Sequence, residues 1–210
     1  DKTKIHHITG DIHYCILALI GVKSVLTVHD LVLLENTKSK IKKYIYFLFW
    51  YYLPVKLATE VVCISQATKE DLLKHVKRKD IKVISNPVDP MFNFVEKEFN
   101  IKKPVILHIG TGWNKNLSSV ILALKDIECH LRIIGKINKK QFQLLKENHT
   151  NYSNGFKLTD LEILDEYKKC DIVSFPSIFE GFGMPVIEGQ ATGRVVLTSN
   201  ISPMKEISNN

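Results

Sequence analysis

The sequence predicts an α/β protein built on parallel sheets, and three observations carry that expectation. Short apolar runs recur along the chain, at residues 24–30, 60–65, 104–110, 129–135, 171–175 and 195–200, each short enough for a buried strand. Between residues 104 and 200 they alternate with helix-length polar segments, the order that requires a parallel sheet covered on both faces. The run 171–175 ends in a glycine-rich turn that leads into a helix with Pro185 in its first turn, where a missing N–H is not needed. No fixed period runs through the chain, so it is not a repeat array.

Composition bounds the rest. A chain of 210 residues makes one large or two small domains, and 45% hydrophobic residues exclude global disorder. The net charge of +7, with a pI near 9.1, favours anionic partners: nucleotide diphosphates, nucleic acid or acidic lipid. Charge alone does not choose among them. The four cysteines, Cys15, Cys63, Cys129 and Cys170, are scattered and form no C-x-x-C pair. They read as buried thiols in a reducing compartment. No secretory signal opens the chain. It starts without Met, and residues 202–210 read as a helix begun and cut off, so a fragment is expected.

Taken in order, residues 5–9 form a strand, Gly10 turns the chain, and Asp11 is placed to cap a helix over residues 12–20. His6, His7 and His13 invite a metal reading. Neighbours on a strand point to opposite faces, however, and no further ligand cluster follows, so metal is not favoured. Residues 24–30 are a strand ending in His29 and Asp30. An imidazole there can donate or accept a hydrogen bond near neutral pH; satisfaction by backbone groups is the other reading. Residues 38–53 join lysines to a run of aromatics whose apolar part is shorter than the roughly 20 residues of a membrane span. Two readings stay open: a core helix packing its aromatics on the sheet, slightly preferred, or a helix at a membrane interface, with peripheral contact through residues 38–55.

Residues 60–65 form a strand, with Ser65 capping a helix over 66–75, and residues 81–85 form the next. Asn86-Pro-Val-Asp-Pro90 breaks regular structure, and the polar residues 97–103 belong to a linker. The boundary is set there, giving domains 1–92 and 93–210. The second domain opens on strand 104–110. Thr111-Gly-Trp-Asn-Lys-Asn116 then turns into a helix that Asn114 or Asn116 is placed to cap. Lys115, near that helix start, is placed to meet a phosphate with a point charge, or is a plain surface lysine. A strand at 129–135 and a helix at 139–148 follow. Thr159-Asp-Leu-Glu162 is a capping box opening a helix through Cys170.

The stretch from Phe175 to Glu188 organises these parts. Gly181 and Gly183 permit a tight loop and close ligand approach. Glu180 and Glu188 are expected to face one crevice beyond the carboxyl end of a strand. The helix N-terminus beside them suits an anion such as a diphosphate. Two solvated glutamates on an ordinary strand–loop–helix are the bland alternative.

Glu180 and Glu188, with Phe179-Glu-Gly-Phe-Gly-Met-Pro185 intact, resemble the E-x7-E motif of retaining GT-B glycosyltransferases of family 4. Other segments resemble the family too. His6 to Tyr14 is similar to a segment of its bacterial polysaccharide members, His29-Asp30 to a strand-end His-Asp, and Gly110-x-x-x-x-Lys115-Asn to its donor-phosphate segment. Ile64 to Leu72 is similar to a strand-to-helix step, and Asn86-x-Val-Asp89 to the entry of the interdomain crossing. Thr111 departs from the pattern, standing where many members carry an arginine. The resemblance covers nearly the whole chain. It implies two Rossmann-like domains facing a cleft, with the start of the acceptor-side domain and the closing helices of the donor-side domain absent.

The resemblance implies transfer, with retained configuration, of a hexose-type sugar from a nucleotide-diphosphate sugar to a glycan or lipid-linked acceptor. The setting it implies is cell-surface polysaccharide synthesis, in the cytoplasm or at the inner face of its membrane. Glu180 would hold donor-sugar hydroxyls, with His29 reaching towards the same sugar; these two are the catalytic candidates. Donor binding would fall to Gly110, Thr111, Lys115, Gly181, Phe182, Gly183, Met184 and Glu188. Glu188 would accept from ribose hydroxyls, and the base would rest near Gly135 and Lys157-Leu158. Lys115 would draw charge from the departing diphosphate. Neither a cofactor nor a metal is called, since no Asp-x-Asp occurs. Nucleic acid is not an expected partner, because no binding module accompanies the charge. Three other readings are kept: an inactive nucleotide-sugar-binding or scaffold subunit, a glycoside hydrolase ranked low, and a nucleic-acid binder resting on charge alone.

Overall fold

The computed structural model describes residues 3–208. The chain divides into two compact units, Asp1–Asn86 and Pro87–Asn210. The sequence sets this boundary a little later, between 92 and 93. Phe92 shows why the division falls earlier: its ring packs edge-to-face on Tyr167 and joins the core of the second unit.

The first unit holds four parallel strands, β1 (His6–Ile8), β2 (Ser24–Val28), β3 (Glu60–Cys63) and β4 (Ile81–Val83), in that spatial order. Leu26, Val28, Val61 and Cys63 are fully buried, so the central strands carry the core. After β1 the chain makes a 3-10 helix, His13–Leu19. Asp11 does not cap it: the cap position is Ile12 and no side chain bonds there. Trp50 Nε1 instead donates to the Asp11 carbonyl, and His13 Nδ1 donates to the Trp50 carbonyl at 2.8 Å. Of the four cysteines, Cys15 is only half-buried.

Three helices follow β2: α1 (Val32–Asn36), α2 (Lys40–Tyr46) and α3 (Leu53–Leu57). A π-helical segment, Phe47–Tyr52, joins α2 to α3 without a break, so the lysine–aromatic run is one helical rod. Tyr51 and Val55 are buried in the core, which fits the core-helix reading in part. Ile41, Tyr44, Ile45, Phe49 and Tyr52 are exposed, so the rod is not sunk in the core all round. No helix among the described residues is long and apolar enough to cross a membrane. Next, α4 (Gln66–His75) begins as the sequence predicts, the Ser65 hydroxyl accepting from Thr68 N at 3.0 Å.

The second unit holds five parallel strands, β5 (Val105–Ile109), β6 (His130–Ile134), β7 (Tyr152–Gly155), β8 (Ile172–Phe175) and β9 (Val195–Thr198). Their spatial order is β7-β6-β5-β8-β9. The edge strand β7 escapes the sequence reading, because Tyr-Ser-Asn-Gly carries no apolar run. Residues alternate across the central strand. Ile106 packs with α5 (Leu117–Ala123) and α6 (Lys139–Glu147) on one face. Leu107 packs with α7 (Asp160–Lys169) on the other. Also on that second face, α8 (Met184–Ala191) sets Val186 against Phe175 and against Met204 of the short α9 (Met204–Ile207). The capping box at Thr159 and Glu162 forms in full, as the spacing predicts.

Residues 97–103 are fastened to this unit rather than left as a solvated linker. Asp171, buried at the start of β8, takes an ion pair from Lys97 and accepts from the backbone N–H of Asn100 (3.1 Å) and Val105 (2.7 Å). The Arg194 guanidinium donates to the Val95 carbonyl.

Candidate active site

In the five-stranded sheet the chain starts at β5, builds outward to β6 and β7, then returns to place β8 on the other side of β5. Loops leaving adjacent strands at such a reversal part in opposite directions, and the gap beyond their carboxyl ends is where open parallel sheets bind ligands. The loop after β5 carries Lys115 and the loop after β8 carries Glu180.

These two loops are tied together. Lys115 Nζ lies 2.5 Å from Glu180 Oε1, and both side chains are mostly buried. Asn114 Nδ2 donates to the same oxygen at 3.1 Å and to the Phe179 carbonyl at 3.0 Å. The Ile178 N–H donates to the Asn114 carbonyl at 2.8 Å, and Asn116 Nδ2 to the Pro176 carbonyl at 3.2 Å. The Lys115 ammonium also sits 4.6 Å from the centre of the Phe175 ring, a cation–π distance. Gly110, at φ 92°, makes room for this: a Cβ there would come 2.8 Å from Lys115 Cγ.

The expected asparagine cap on α5 is not made. Asn116 adopts a left-handed conformation at φ 59°, and its Oδ1 accepts from the Ser119 hydroxyl at 2.7 Å rather than from a backbone N–H of the first turn. Its amide is spent instead on the β8 loop. Thr111 turns its hydroxyl away, donating to the Lys136 carbonyl at 2.8 Å.

Beneath this loop, His108 on β5 is wholly buried and neither ring nitrogen has a hydrogen-bond partner among the described residues. Burial pushes its pKa down to about 4. The nearby backbone of Ser174 and Gly110 favours the charged form, but too weakly to offset the lost hydration.

Glu188 stands just over one turn into α8, whose N-cap is Gly183 at φ 110°. The sequence places Pro185 in the first turn, and it is there. Tyr167 donates to Glu188 Oε2 at 2.5 Å. Burial raises the Glu188 pKa, and the Tyr167 hydroxyl pulls it back towards the ionised form. Glu188 lines a cavity of about 430 Å³ with Ile109, Asp160, Ile163, Met184 and Phe92. The two acids have different partners. Glu180 is held by Lys115 and Asn114, whereas the cavity that Glu188 lines includes neither Glu180 nor Lys115.

Of the remaining candidates in this unit, the Phe182 side chain is buried, Gly181 is half-buried, and Met184 lines the cavity. His29 belongs to the first unit. It follows β2 directly, as the sequence places it, is half-buried, and donates from Nε2 to the Thr9 carbonyl at 2.5 Å. Sequence reading missed Asn114 as a partner of Glu180 and Tyr167 as the partner of Glu188. The one available signal for Tyr167 was a polar-tipped ring on the apolar stripe of a helix, which needs a hydrogen-bond partner when buried.

Comparison with known proteins shows the family and the fold. The family described as Glycosyl transferases group 1 matches residues 91–210. The one described as Glycosyltransferase Family 4 matches residues 5–92. An uncharacterized glycosyltransferase of Methanocaldococcus jannaschii is 28% identical over 204 residues, covering 92% of this chain and 54% of the relative. The O-antigen chain mannosyltransferase RfbU of Salmonella typhimurium is 29% identical over 198 residues, covering 88% of this chain and 54% of that protein. The chain thus spans about half the length of the curated relatives it matches. Among solved structures, Anabaena HepE in complex with UDP and glucose aligns with a TM-score of 0.76 at 16% identity, over 96% of this chain and 60% of HepE. WaaG, a glycosyltransferase involved in lipopolysaccharide biosynthesis, aligns with a TM-score of 0.73 at 14% identity, over 90% of this chain and 60% of WaaG. The fold class is α/β of the GT-B type.

Proposed function

The chain belongs to the glycosyl transferases group 1 family, and from that premise we propose that it serves a retaining transfer of a hexose-type sugar from a nucleotide-diphosphate sugar. The acceptor is a glycan or a lipid-linked glycan of cell-surface polysaccharide synthesis, and the reaction runs on the cytoplasmic side. The observation that carries this reading is the Lys115–Glu180 pair at the sheet's reversal point. A cation for the diphosphate and a carboxylate for the sugar hydroxyls stand side by side there. The RfbU relative, named for a mannosyltransferase of O-antigen chains, supports the hexose and the polysaccharide setting. HepE, solved with UDP and glucose, supports the donor class.

In the proposed reaction Glu180 holds donor-sugar hydroxyls, and His29, on the first unit, is proposed as a further sugar-contacting residue. Backbone N–H groups from Gly181 to Met184, with that of Thr111, receive phosphate and sugar oxygens, while Gly110, whose own N–H bonds the Ile134 carbonyl at 2.8 Å, serves by making room for Lys115. Glu188 accepts from the ribose. As the glycosidic bond breaks, negative charge grows on the departing diphosphate. Lys115 and the N-terminus of α8 stabilise that charge without a metal ion or a cofactor. The test is a thermal-shift panel of UDP-, GDP-, ADP- and TDP-sugars, since a ligand that binds the folded state raises the melting temperature. No shift with any of them sinks the reading.

One observation favours a second reading, a subunit that binds the donor without turning it over. Thr111 stands where many members of the resembled family carry an arginine, and its hydroxyl is spent on the Lys136 carbonyl. Transfer rates of wild type against Glu180→Gln separate the two: equal rates remove Glu180 from catalysis. We also propose that the rod at residues 38–55 lies on an anionic bilayer surface. Its exposed Ile41, Tyr44, Ile45, Phe49 and Tyr52 stand beside Lys38, Lys40, Lys42 and Lys43. Cosedimentation with anionic but not neutral vesicles tests it.

A further inference from the structure

We propose that Tyr167 is the positioning residue for Glu188: it clamps carboxylate oxygen Oε2 so that Oε1 is presented to the ribose hydroxyls of the bound nucleotide. This rests on the nucleotide-sugar reading above and adds to it the residue that sets ribose recognition.

Tyr167 has no exposed surface, so it cannot touch a ligand itself. Its ring is fixed by Leu107, Val173 and Cys170 and stands edge-to-face on Phe92, with centroids 5.4 Å apart and planes at 87°. The hydroxyl of so confined a ring has one direction to point, and it points at Glu188 Oε2, 2.5 Å away. Glu188 is only half-buried and lines the cavity. Its other oxygen, Oε1, has no hydrogen-bond partner among the described residues.

A carboxylate at the end of a glutamate side chain turns easily about its last bond. A charge-assisted hydrogen bond to one oxygen removes that freedom and fixes where the second oxygen lies. The same bond keeps Glu188 towards its ionised form against the effect of burial. An ionised, oriented carboxylate can accept hydrogen bonds but not donate them. It therefore selects a sugar that offers them, and the apolar walls Ile109, Ile163 and Met184 suit the less polar faces of a nucleoside.

The experiment is calorimetric binding of UDP and GDP, with their 2′-deoxy and 3′-deoxy forms, to wild type and Tyr167→Phe. Wild type should prefer the ribose form over at least one deoxy form. Tyr167→Phe, which keeps the ring and its packing, should bind the ribose form about tenfold more weakly while the deoxy form changes little. Its preference then collapses. A variant that keeps the wild-type preference overturns the proposal, because it makes Tyr167 a core filler. If wild type binds no nucleoside diphosphate at all, the nucleotide reading itself falls. Should Tyr167→Phe fail to fold, Glu188→Asp carries the test. One methylene shorter, it cannot both keep the tyrosine and reach the ribose, so retained ribose preference there also overturns the proposal.

Discussion

Lys115 and Glu180, 65 residues apart in sequence, meet at 2.5 Å across the β5 and β8 loops. Each charge neutralises the other in a poorly hydrated place. In the proposed reaction a diphosphate therefore competes with Glu180 for the ammonium, and a sugar hydroxyl with the ammonium for Glu180.

Lys115→Met is expected to weaken UDP or GDP binding by about 10- to 100-fold, the worth of one charge-assisted contact to phosphate. Titration calorimetry reads this directly. Unchanged affinity would falsify the phosphate role and return Lys115 to a purely structural pair with Glu180.

Glu180→Gln should split binding from turnover. It releases Lys115, so the free diphosphate is expected to bind as well as in wild type or about threefold better. Transfer from the sugar nucleotide should fall by at least about 100-fold. A parallel loss of both would mean that Glu180 acts by holding the loops together.

Gly183→Ala tests the backbone at the start of α8. Its φ of 110° strains any L side chain, and the added Cβ would lie 3.2 Å from Ile207 Cδ1. A cost of about 2 kcal/mol is expected in urea denaturation. A neutral variant would mean that the loop relaxes freely.

His108 gives the fold a pH dependence with a fixed sign. The unfolded chain binds a proton below 6.5, but the buried ring does so only near 4. Its folded pKa is depressed, so its contribution is fully present above 6.5 and is lost as pH falls towards 4. The loss amounts to at most about 3 kcal/mol. His108→Leu should flatten the stability profile over that window, leaving the slope due to carboxylates. Superimposable profiles would show that His108 is not what titrates.

Asp171→Ala should be the costliest of these changes to the second unit, at about 3 kcal/mol. It strands Lys97 and leaves the N–H groups of Asn100 and Val105 without their acceptor. Measured denaturation of the variant beside wild type checks it; a loss below about 1 kcal/mol would mean that water replaces the carboxylate.

Local signals were legible wherever a residue acts on its near neighbours. Ser65 opening α4 and the Thr159–Glu162 box opening α7 need only three residues of chain, and both form. The strands around Val105, His130 and Ile172 announce themselves because both sheet faces bury them. Asp11 and Asn116 were misread as caps for the same reason that the others were read well. Spacing offered them a helix start, but the 3-10 helix takes Ile12 as its cap position, and the Asn116 side chain goes to the Pro176 carbonyl and the Ser119 hydroxyl instead.

The sequence by itself determined the parallel α/β layering, the glycine-hinged turn before α8, and the residue types proposed to handle phosphate and sugar. Only the tertiary structure decided which of those residues meet. Lys115 closes on Glu180, and Tyr167 takes one oxygen of Glu188. The reason is physical: helix and strand patterns are short-range and periodic, whereas these contacts join side chains from different elements. Their partners are chosen by strand order and by the need of each buried polar group for a mate.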